Sequence, residues 1–392
     1  MRPKMRILSL LGLLSAIVLA GGADGGNAPA QRWTHDRGPA GQTCVSQAEP
    51  METLGNVLWT YRAQGTIAAA PLTWDGVAYL REGQRLIALD LETGKRRASQ
   101  DIGNVTSAAL GDGAVFVRQG ANLIQWRRHK KTFRKRWSVA LTDGASAPCI
   151  YAGELYVTSG GKLVRLRAGQ KKPAWEQGTG AFGSPALHGE EVYSLERSGT
   201  KVALVARARL DGSEVARIEW EGGATTGGTG DGSVAVNRDQ AAVNVGDKWF
   251  LIHRKHAGGK LTLKDPWPVP LKDEPLLYTS AVIGYGGKKN SLMLFRYTGK
   301  KNLSRPLVTP AARPDLLKGA ALPISMQNVM CTGLWMANLN ANLIRWHLHE
   351  RPERKLMTNG VAFRPVPATD ERLLLVDQDK KQLVCVAPEV IG

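Results

Sequence analysis

The chain has 392 residues, with 52 Lys and Arg against 34 Asp and Glu, a formal net charge of +18 at pH 7 and 43% hydrophobic residues. Its four cysteines, Cys44, Cys149, Cys331 and Cys385, are too few and too scattered for a disulfide-built mini-scaffold or a Cys-x-x-Cys metal site. A chain of this length buries an ordinary core without staples, and so basic a surface attracts polyanions over long range.

Met1, Arg2, Lys4 and Arg6 precede an apolar run from Ile7 to Ala20 and a small-residue stretch from Gly21 to Ala30. A charged start, an apolar middle and a cleavage zone of small residues predict a signal peptide over residues 1–20. The apolar run is too short for a bilayer span, which needs roughly 20 residues, and no other stretch is apolar enough to make one. The first cysteine, Cys44, lies too far beyond the run to carry a lipid anchor. These features lead us to expect a soluble, monomeric, periplasmic or secreted protein. Residues 21–55 would form a flexible lead-in, and residues 56–392 a single domain.

That domain is built on a repeat. Leu, a β-branched residue, a variable residue and a large apolar one recur as Leu86-Ile87-Ala88-Leu89, Leu123-Ile124-Gln125-Trp126, Leu163-Val164-Arg165-Leu166, Leu343-Ile344-Arg345-Trp346 and Leu383-Val384-Cys385-Val386. Looser copies start at Val202, Trp249 and Leu292. A spacing near 40 residues is that of one propeller blade. About ten residues before most copies, a turn precedes another β-prone run: Asp75-Gly76, Asp112-Gly113, Gly153-Glu154, Gly189-Glu190, Asp231-Gly232 and Gln327-Asn328. Asp-Gly between apolar runs is a strong hairpin signal because glycine tolerates the positive φ of a tight turn. A third run, often with Pro, precedes the turn: Ala70-Pro71, Ala147-Pro148, Ser184-Pro185.

Each unit is therefore expected to hold four strands, A to D, with the repeated motif in strand C. The best helical candidate, Asp315 to Ala321, is at most a loop insertion. The fold class expected is all-β, an eight-bladed β-propeller of four-stranded antiparallel blades, with seven blades as the alternative count. The last copy of the motif is followed by too few residues for its own strand D. Val57-Leu58-Trp59-Thr60-Tyr61 is left over at the front and resembles the strand D runs that end in Trp137, Trp175 and Trp220. Pairing it with the last unit would close the ring and remove an exposed sheet edge. Tryptophans at strand D ends are expected to pack between blades. Cys149, Cys331 and Cys385 align with core positions Leu72, Tyr79 and Ala88, which predicts buried thiols acting as small apolar fillers, with Cys44 the most exposed.

Ala88-Leu89-Asp90-Leu91-Glu92-Thr93-Gly94-Lys95 resembles the quinoprotein-type repeat, Ala-x-Asp-x-x-Thr-Gly-x-x-x-Trp, of the PQQ-like repeat propellers. Arg37-Gly38-Pro39-Ala40-Gly41 after Trp33 is similar to the lead-in of exported proteins that carry these repeats. The resemblance extends over nearly the whole mature chain in layout, but only the first blade matches the motif well. Even there Ala98 stands where the family has Trp, and the fourth blade keeps only a remnant, Leu210-Asp211-Gly212-Ser213. The family includes alcohol dehydrogenases that bind pyrroloquinoline quinone and non-enzymatic envelope scaffolds such as the outer-membrane assembly propeller. What the resemblance implies is an eight-bladed exported propeller.

The quinone enzymes of that family carry adjacent cysteines that clamp the cofactor, and no two cysteines are adjacent here. No catalytic residue, cofactor site or metal site is therefore assigned, and the chain is expected to be a binding or scaffold protein. An exported quinone-dependent dehydrogenase, or another extracytoplasmic enzyme, is the alternative. His347 and His349 alternate on a predicted strand, as metal ligands can, but fit a solvated strand face as well. His253 and His256 flank Arg254 and Lys255, and cations disfavour a neighbouring metal. His35, His129 and His188 lack a partner spacing. Gly222 to Gly232 is Gly-rich but leads into a strand rather than a phosphate-binding helix.

Basic runs gather in the expected C-D turns: Lys95, Arg96 and Arg97; Arg127, Arg128, Lys130 and Lys131 with Arg134, Lys135 and Arg136; Lys171 and Lys172; Lys300 and Lys301; Arg351, Arg354 and Lys355. Propeller geometry places the A-B and C-D turns on one face, so these runs are expected to form a basic rim that Asp75, Asp112 and Asp231 partly offset. The partners this implies are an acidic protein surface or an acidic envelope polymer. With Phe133 the only aromatic residue in the densest run, specific nucleic-acid recognition is not expected.

Overall fold

A computed structural model describes residues 34–35, 45–46, 54–67, 71–142, 144–222, 232–271, 276–278, 281–286, 291–297, 302–308, 329–330, 333–337, 342–347, 354–358, 363–369, 372–377 and 380–388. The signal peptide, the Arg37 to Gly41 segment, the Asp315 to Ala321 candidate, Cys44 and Cys331 lie outside them, as do His349 and Asp231.

All the regular structure described is β. Strands β1 (Val45–Ser46) and β2 (Leu54–Arg62) precede the repeat. The first unit is β3 (Leu72–Trp74), β4 (Val77–Glu82), β5 (Arg85–Asp90) and β6 (Arg96–Asp101); the second is β7 (Ser107–Gly111), β8 (Ala114–Gln119), β9 (Asn122–His129) and β10 (Thr132–Ala140). The third is β11 (Cys149–Tyr151), β12 (Glu154–Ser159), β13 (Lys162–Arg167) and β14 (Trp175–Gln177), and the fourth β15 (Ala181–His188), β16 (Glu191–Ser198), β17 (Lys201–Ala208) and β18 (Glu214–Glu221). The fifth follows as β19 (Gly232–Val236), β20 (Gln240–Val245), β21 (Lys248–Ala257) and β22 (Lys260–Val269), and the sixth as β23 (Leu276–Tyr278), β24 (Ala281–Gly286), β25 (Ser291–Tyr297) and β26 (Asn302–Val308). Beyond them lie β27 (Val329–Met330), β28 (Gly333–Ala337), β29 (Asn342–His347), β30 (Arg354–Thr358), β31 (Phe363–Thr369), β32 (Arg372–Asp377) and β33 (Gln382–Pro388).

Each of the first six units forms a four-stranded antiparallel ladder in chain order, β28 to β30 form a three-stranded set, and β31 to β33 are completed by β2. Seven of the eight copies of the repeated motif occupy the third strand of their sets, and the Leu343 copy lies in β29, the middle strand of the three-stranded set. The expected Asp231-Gly232 turn is displaced: Gly232 opens β19, and the turn to β20 falls at Arg238 and Asp239, closed by the Asn237 amide donating to Gln240 O at 3.0 Å. First strands of consecutive units touch, β3 on β7, β7 on β11, β11 on β15 and β15 on β19, the last through a parallel bridge between Ser184 and Ser233. The first strands thus form the inner edge of the array and the fourth strands its outer edge.

Local chemistry explains the hairpins. Asp75 and Gly76, Asp112 and Gly113, and Ala152 and Gly153 all have positive φ, the pair of left-handed residues that a type I′ turn requires. In the third unit the turn lies one residue earlier than the expected Gly153-Glu154. Ala152 takes the place that Asp fills elsewhere, and Glu154 already belongs to β12. The core is made between sheets: Tyr193 and Leu204 of the fourth unit pack in one cluster with Val243 and Ile252 of the fifth. Cys149 and Cys385 are buried thiols within β11 and β33, and burial pushes the Cys385 thiol up to about 12.

The strand left over at the front closes on the last set. β2 pairs antiparallel with β33, Val57 opposite Val386, Trp59 opposite Cys385 and Tyr61 opposite Leu383. Its continuation is pinned to the first unit by one buried carboxylate. Tyr61 Oη donates to Glu82 Oε2 at 2.7 Å and the Gln64 amide to Glu82 Oε1 at 2.9 Å. Burial and the Glu82 carboxylate both raise the Tyr61 phenol, so the hydroxyl stays a donor at any physiological pH. Further upstream, Thr34 and His35 of the lead-in dock between β7 and β11. The Leu110 amide donates to Thr34 O at 2.8 Å and the Ile150 amide to His35 Nε2 at 2.8 Å, which needs a neutral imidazole.

A recurring dock joins the units. Trp59, Trp137 and Trp175 each stand opposite the third residue of the motif, Cys385, Gln125 and Arg165 respectively. Each donates its indole N–H to a turn carbonyl of the next unit: Leu91 at 2.9 Å, Gln170 at 2.8 Å and Arg209 at 3.0 Å. In the first and third of these docks a glycine in the same turn makes room for the ring. A Cβ on Gly94 would sit 2.6 Å from the Trp59 ring, and one on Gly212 would sit 2.9 Å from that of Trp175. This is the physical content of the Thr-Gly pair in the motif and of its remnant in the fourth unit. Trp220 departs from the pattern. It lies two residues further along, opposite Val202, finds no acceptor for its Nε1 among the described residues, and packs at 5.3 Å on Phe250.

These docks rank two substitutions. Trp175→Phe keeps most of the packing but leaves the Arg209 carbonyl without its donor, and should cost about 1 kcal/mol. Trp175→Ala removes the ring as well and should cost about 3–5 kcal/mol. Urea unfolding of the two variants measures both, and equal costs would show that the hydrogen bond, not the ring, sets the junction.

Candidate functional site

The expected tryptophan is missing at one junction only among the first three units. Ala98 in β6 stands opposite Ala88, the position that holds Trp59, Trp137 and Trp175 in their sheets. The space it leaves is taken by the second unit itself. Its β9–β10 hairpin closes onto β6, with the Ser99 amide donating to Lys131 O at 3.2 Å and Thr132 Oγ1 to Gln100 Oε1 at 2.6 Å. Phe133, fully buried, joins Ala98 in one core cluster and lies 6.3 Å from Tyr79.

The hairpin so anchored carries Arg127, Arg128, Lys130, Lys131, Arg134, Lys135 and Arg136 with no acidic residue between them, and all seven side chains are exposed. Its sequence accepts two costs to do so. Arg127 stands directly opposite Arg134, and like charges facing each other across a ladder are destabilising. Lys130 turns the corner at φ 55°, a left-handed conformation that Asn or Gly adopts with far less strain.

Hydrogen bonds across two junctions join the neighbouring basic runs to this hairpin. Through Ser99 and Lys131 it meets the strand that starts with Arg96 and Arg97, beside Lys95 in the preceding turn. Through Trp137 and Gln170 it meets the turn that carries Lys171 and Lys172. All of these side chains are exposed. Of the residues in this arc, Arg97 alone has a carboxylate partner among the described residues. It donates to Asp90 through Nε at 2.9 Å and also through Nη2. Asp90 in turn accepts from the Thr93 amide at 2.8 Å and the Thr93 hydroxyl at 2.9 Å. Burial works against the charge on Asp90, but Arg97 and the Thr93 donors outweigh it and hold the carboxyl below its ordinary value.

The arc ends where acids return. In the fourth unit Arg207 pairs with Glu196 at 2.7 Å and Arg209 with Glu190 at 2.7 Å, while Arg217 bonds both Glu196 and Glu214. Of the other residues expected on the basic rim, Lys300, Lys301 and Arg351 lie outside the described residues, and Arg354 and Lys355 open β30, with no side-chain placement described. His347 ends β29, and His256 stands 3.8 Å from Glu191. Burial lowers the His253 imidazole.

Beneath the hairpin, between the first and second units, is a cavity of about 420 Å³. Trp74 and Tyr79 contribute aromatic surface, Arg97 and Arg128 line one part, and Asp75 and Asp112 of the two A-B turns line the rest. Burial raises the Tyr79 phenol, and the Arg128 guanidinium bonded to it works in the opposite direction. The sequence exposed the charges of this cavity but not the cavity, because Tyr79 reads as an ordinary core residue and nothing in the repeat marks Trp74.

The inner first strands, outer fourth strands and turn-to-turn docks define the class of fold, a β-propeller of four-stranded antiparallel sheets. Among the solved structures similar to it are the following two. BamB from Moraxella catarrhalis, at 12% identity, covers 85% of this chain and 99% of its own with a TM-score of 0.58. The quinohemoprotein alcohol dehydrogenase ADHIIG from Pseudomonas putida HK5, also at 12% identity, covers 93% of this chain and 81% of its own with a TM-score of 0.54. At that identity the likeness is one of fold. No protein-family model matches the chain, and no curated protein sequence does.

Two outcomes follow from the site. Lys130→Asn relieves the left-handed strain and should raise stability by about 0.5–1 kcal/mol in thermal unfolding. Removing one cation from the turn should at the same time weaken retention on a heparin column. Asp90→Asn tests the motif carboxylate. Because its folded value lies below the ordinary 3.8, its contribution is complete at neutral pH and fades as pH falls through 3.8 and below. Asp90→Asn should therefore be less stable than the parent at pH 7, with the gap closing under acid. A gap independent of pH would contradict the assignment.

Proposed function

We propose that this protein is an exported, non-catalytic β-propeller of eight blades that acts in the cell envelope as a binding or scaffold protein. Its working surface is the basic arc of the first three units, which engages an acidic polymer or an acidic protein surface. The observation that carries this reading is the arc itself: three turns of cations, all but Arg97 without a carboxylate partner among the described residues, joined across two junctions by backbone and indole hydrogen bonds. The fold likeness to BamB supports it only as far as fold goes. Export rests on the N-terminal charge and apolar pattern, and the ring of eight on the eight copies of the third-strand motif.

A quinone-dependent enzyme on the same fold is the second reading, and visible absorbance from a quinone in the purified protein would favour it. For the binding reading the test is electrostatic. Converting Lys130, Lys131 and Lys135 to Glu should sharply reduce heparin-column retention, whereas converting Lys201, Lys248 and Lys380, which sit at the B-C turns of the other face, should reduce it little. The parent's retention should also fall steeply with salt, as the Debye length shrinks from about 10 Å at 0.1 M to about 3 Å at 1 M. Equal losses from the two triple variants would remove the facial asymmetry and with it the proposal.

A further inference from the structure

The cavity under the hairpin has a chemistry that a purely cationic docking face does not need. A bare acidic chain is best held by cations alone, yet this cavity sets Asp75 and Asp112 beside Arg97 and Arg128. Two carboxylates repel an acid unless the same ligand also brings hydrogen-bond donors for them. Trp74 and Tyr79 add aromatic faces, which take the flat C–H face of a ring as an apolar surface. The volume, about 420 Å³, falls in the ordinary range of small-molecule pockets, roughly 300–1,000 Å³. A ligand that offers acid, hydroxyl donors and a ring face in one compact unit is an acidic sugar.

We infer that the cavity between the first and second units seats one saccharide unit of an acidic glycan, with Arg97 and Arg128 on its acid group, Asp75 and Asp112 accepting from its hydroxyls, and Trp74 under its ring. This rests on the proposed binding role of the basic arc and names the ligand class that the arc serves. The hairpin supplies long-range attraction and the cavity supplies selection. Arg128 belongs to both, since its side chain lines the cavity while its neighbours Arg127 and Lys130 remain on the open face.

The test compares an oligogalacturonate with a poly-glutamate peptide of equal charge, by calorimetry on the full mature chain. The double variant Asp75→Asn with Asp112→Asn preserves the turns, because Asn accepts the left-handed conformation. It should bind the oligogalacturonate about tenfold more weakly, the loss of one or two charge-assisted hydrogen bonds, and bind poly-glutamate more tightly, since two repelling charges are gone. Trp74→Leu should weaken the oligogalacturonate alone. If the double variant tightens both ligands, or if Trp74→Leu affects neither, the saccharide assignment falls and an acidic protein becomes the partner of the arc. If instead converting Lys130, Lys131 and Lys135 to Glu leaves both ligands unaffected, it is the arc's binding role that fails, whatever the cavity variants do.

Discussion

The fold depends on one interaction repeated around its outer edge: an indole N–H from a fourth strand reaching a turn carbonyl of the next unit. It does two things at once. The ring buries a large apolar area where two twisted sheets diverge, and the hydrogen bond satisfies a carbonyl that the turn would otherwise leave in a half-buried place. Because the acceptor is backbone, the residues at the turn are free to vary, and Leu91, Gln170 and Arg209 accept equally well. Glycine is constrained where the ring passes over it, at Gly94 and Gly212.

The junction that lacks this dock is the one that carries the candidate site. With Ala98 in place of the indole, the sheets of the first and second units would part at their rim. The long β9–β10 hairpin fills the gap with Phe133 and a backbone bond to Lys131. A structural repair thus ties the most basic segment of the chain to its neighbour, and the same hairpin contributes Arg128 to the lining of the cavity between the two units. The departure from the motif and the concentration of charge have the same local cause.

Much of this was legible in the sequence because it is periodic. The motif in β5, β9, β13, β17, β21, β25 and β33, the Asp75-Gly76 and Asp112-Gly113 turns and the leftover strand before Ala63 each lie where the period predicts. Asp231-Gly232 and Gln327-Asn328 were misread as turns before a second strand because Asp-Gly and Gln-Asn look like turns; Gly232 opens the first strand of its unit, and Asn328 directly precedes β27 rather than β28. The shifted turn at Ala152 was misread because Gly153-Glu154 looks like the turns elsewhere, whereas the register is set by Cys149 pairing with Tyr156. Trp220 shares a residue type with the docking tryptophans but not their register. What no period could reveal are the single contacts across large separations: His35 against Ile150, Tyr61 against Glu82, and the meeting of Trp74, Asp112 and Arg128 around one cavity. Ala98 was the one visible flag for the site, since it is a small residue where the motif asks for the largest.

The pairing of β2 with β33 also governs how the molecule can be made. Residues near 57 and 386 must find each other before the last sheet is complete, so the final step joins segments at almost the greatest separation the chain allows. Contacts that distant form slowly, because loop closure must precede any gain from them. Until then the outer edge of β33 and the Trp59 dock both stand open, and the nascent protein presents an unpaired strand to its surroundings. Synthesis from the N-terminus therefore delivers β2 well before its partner, and completion of this sheet waits on β33.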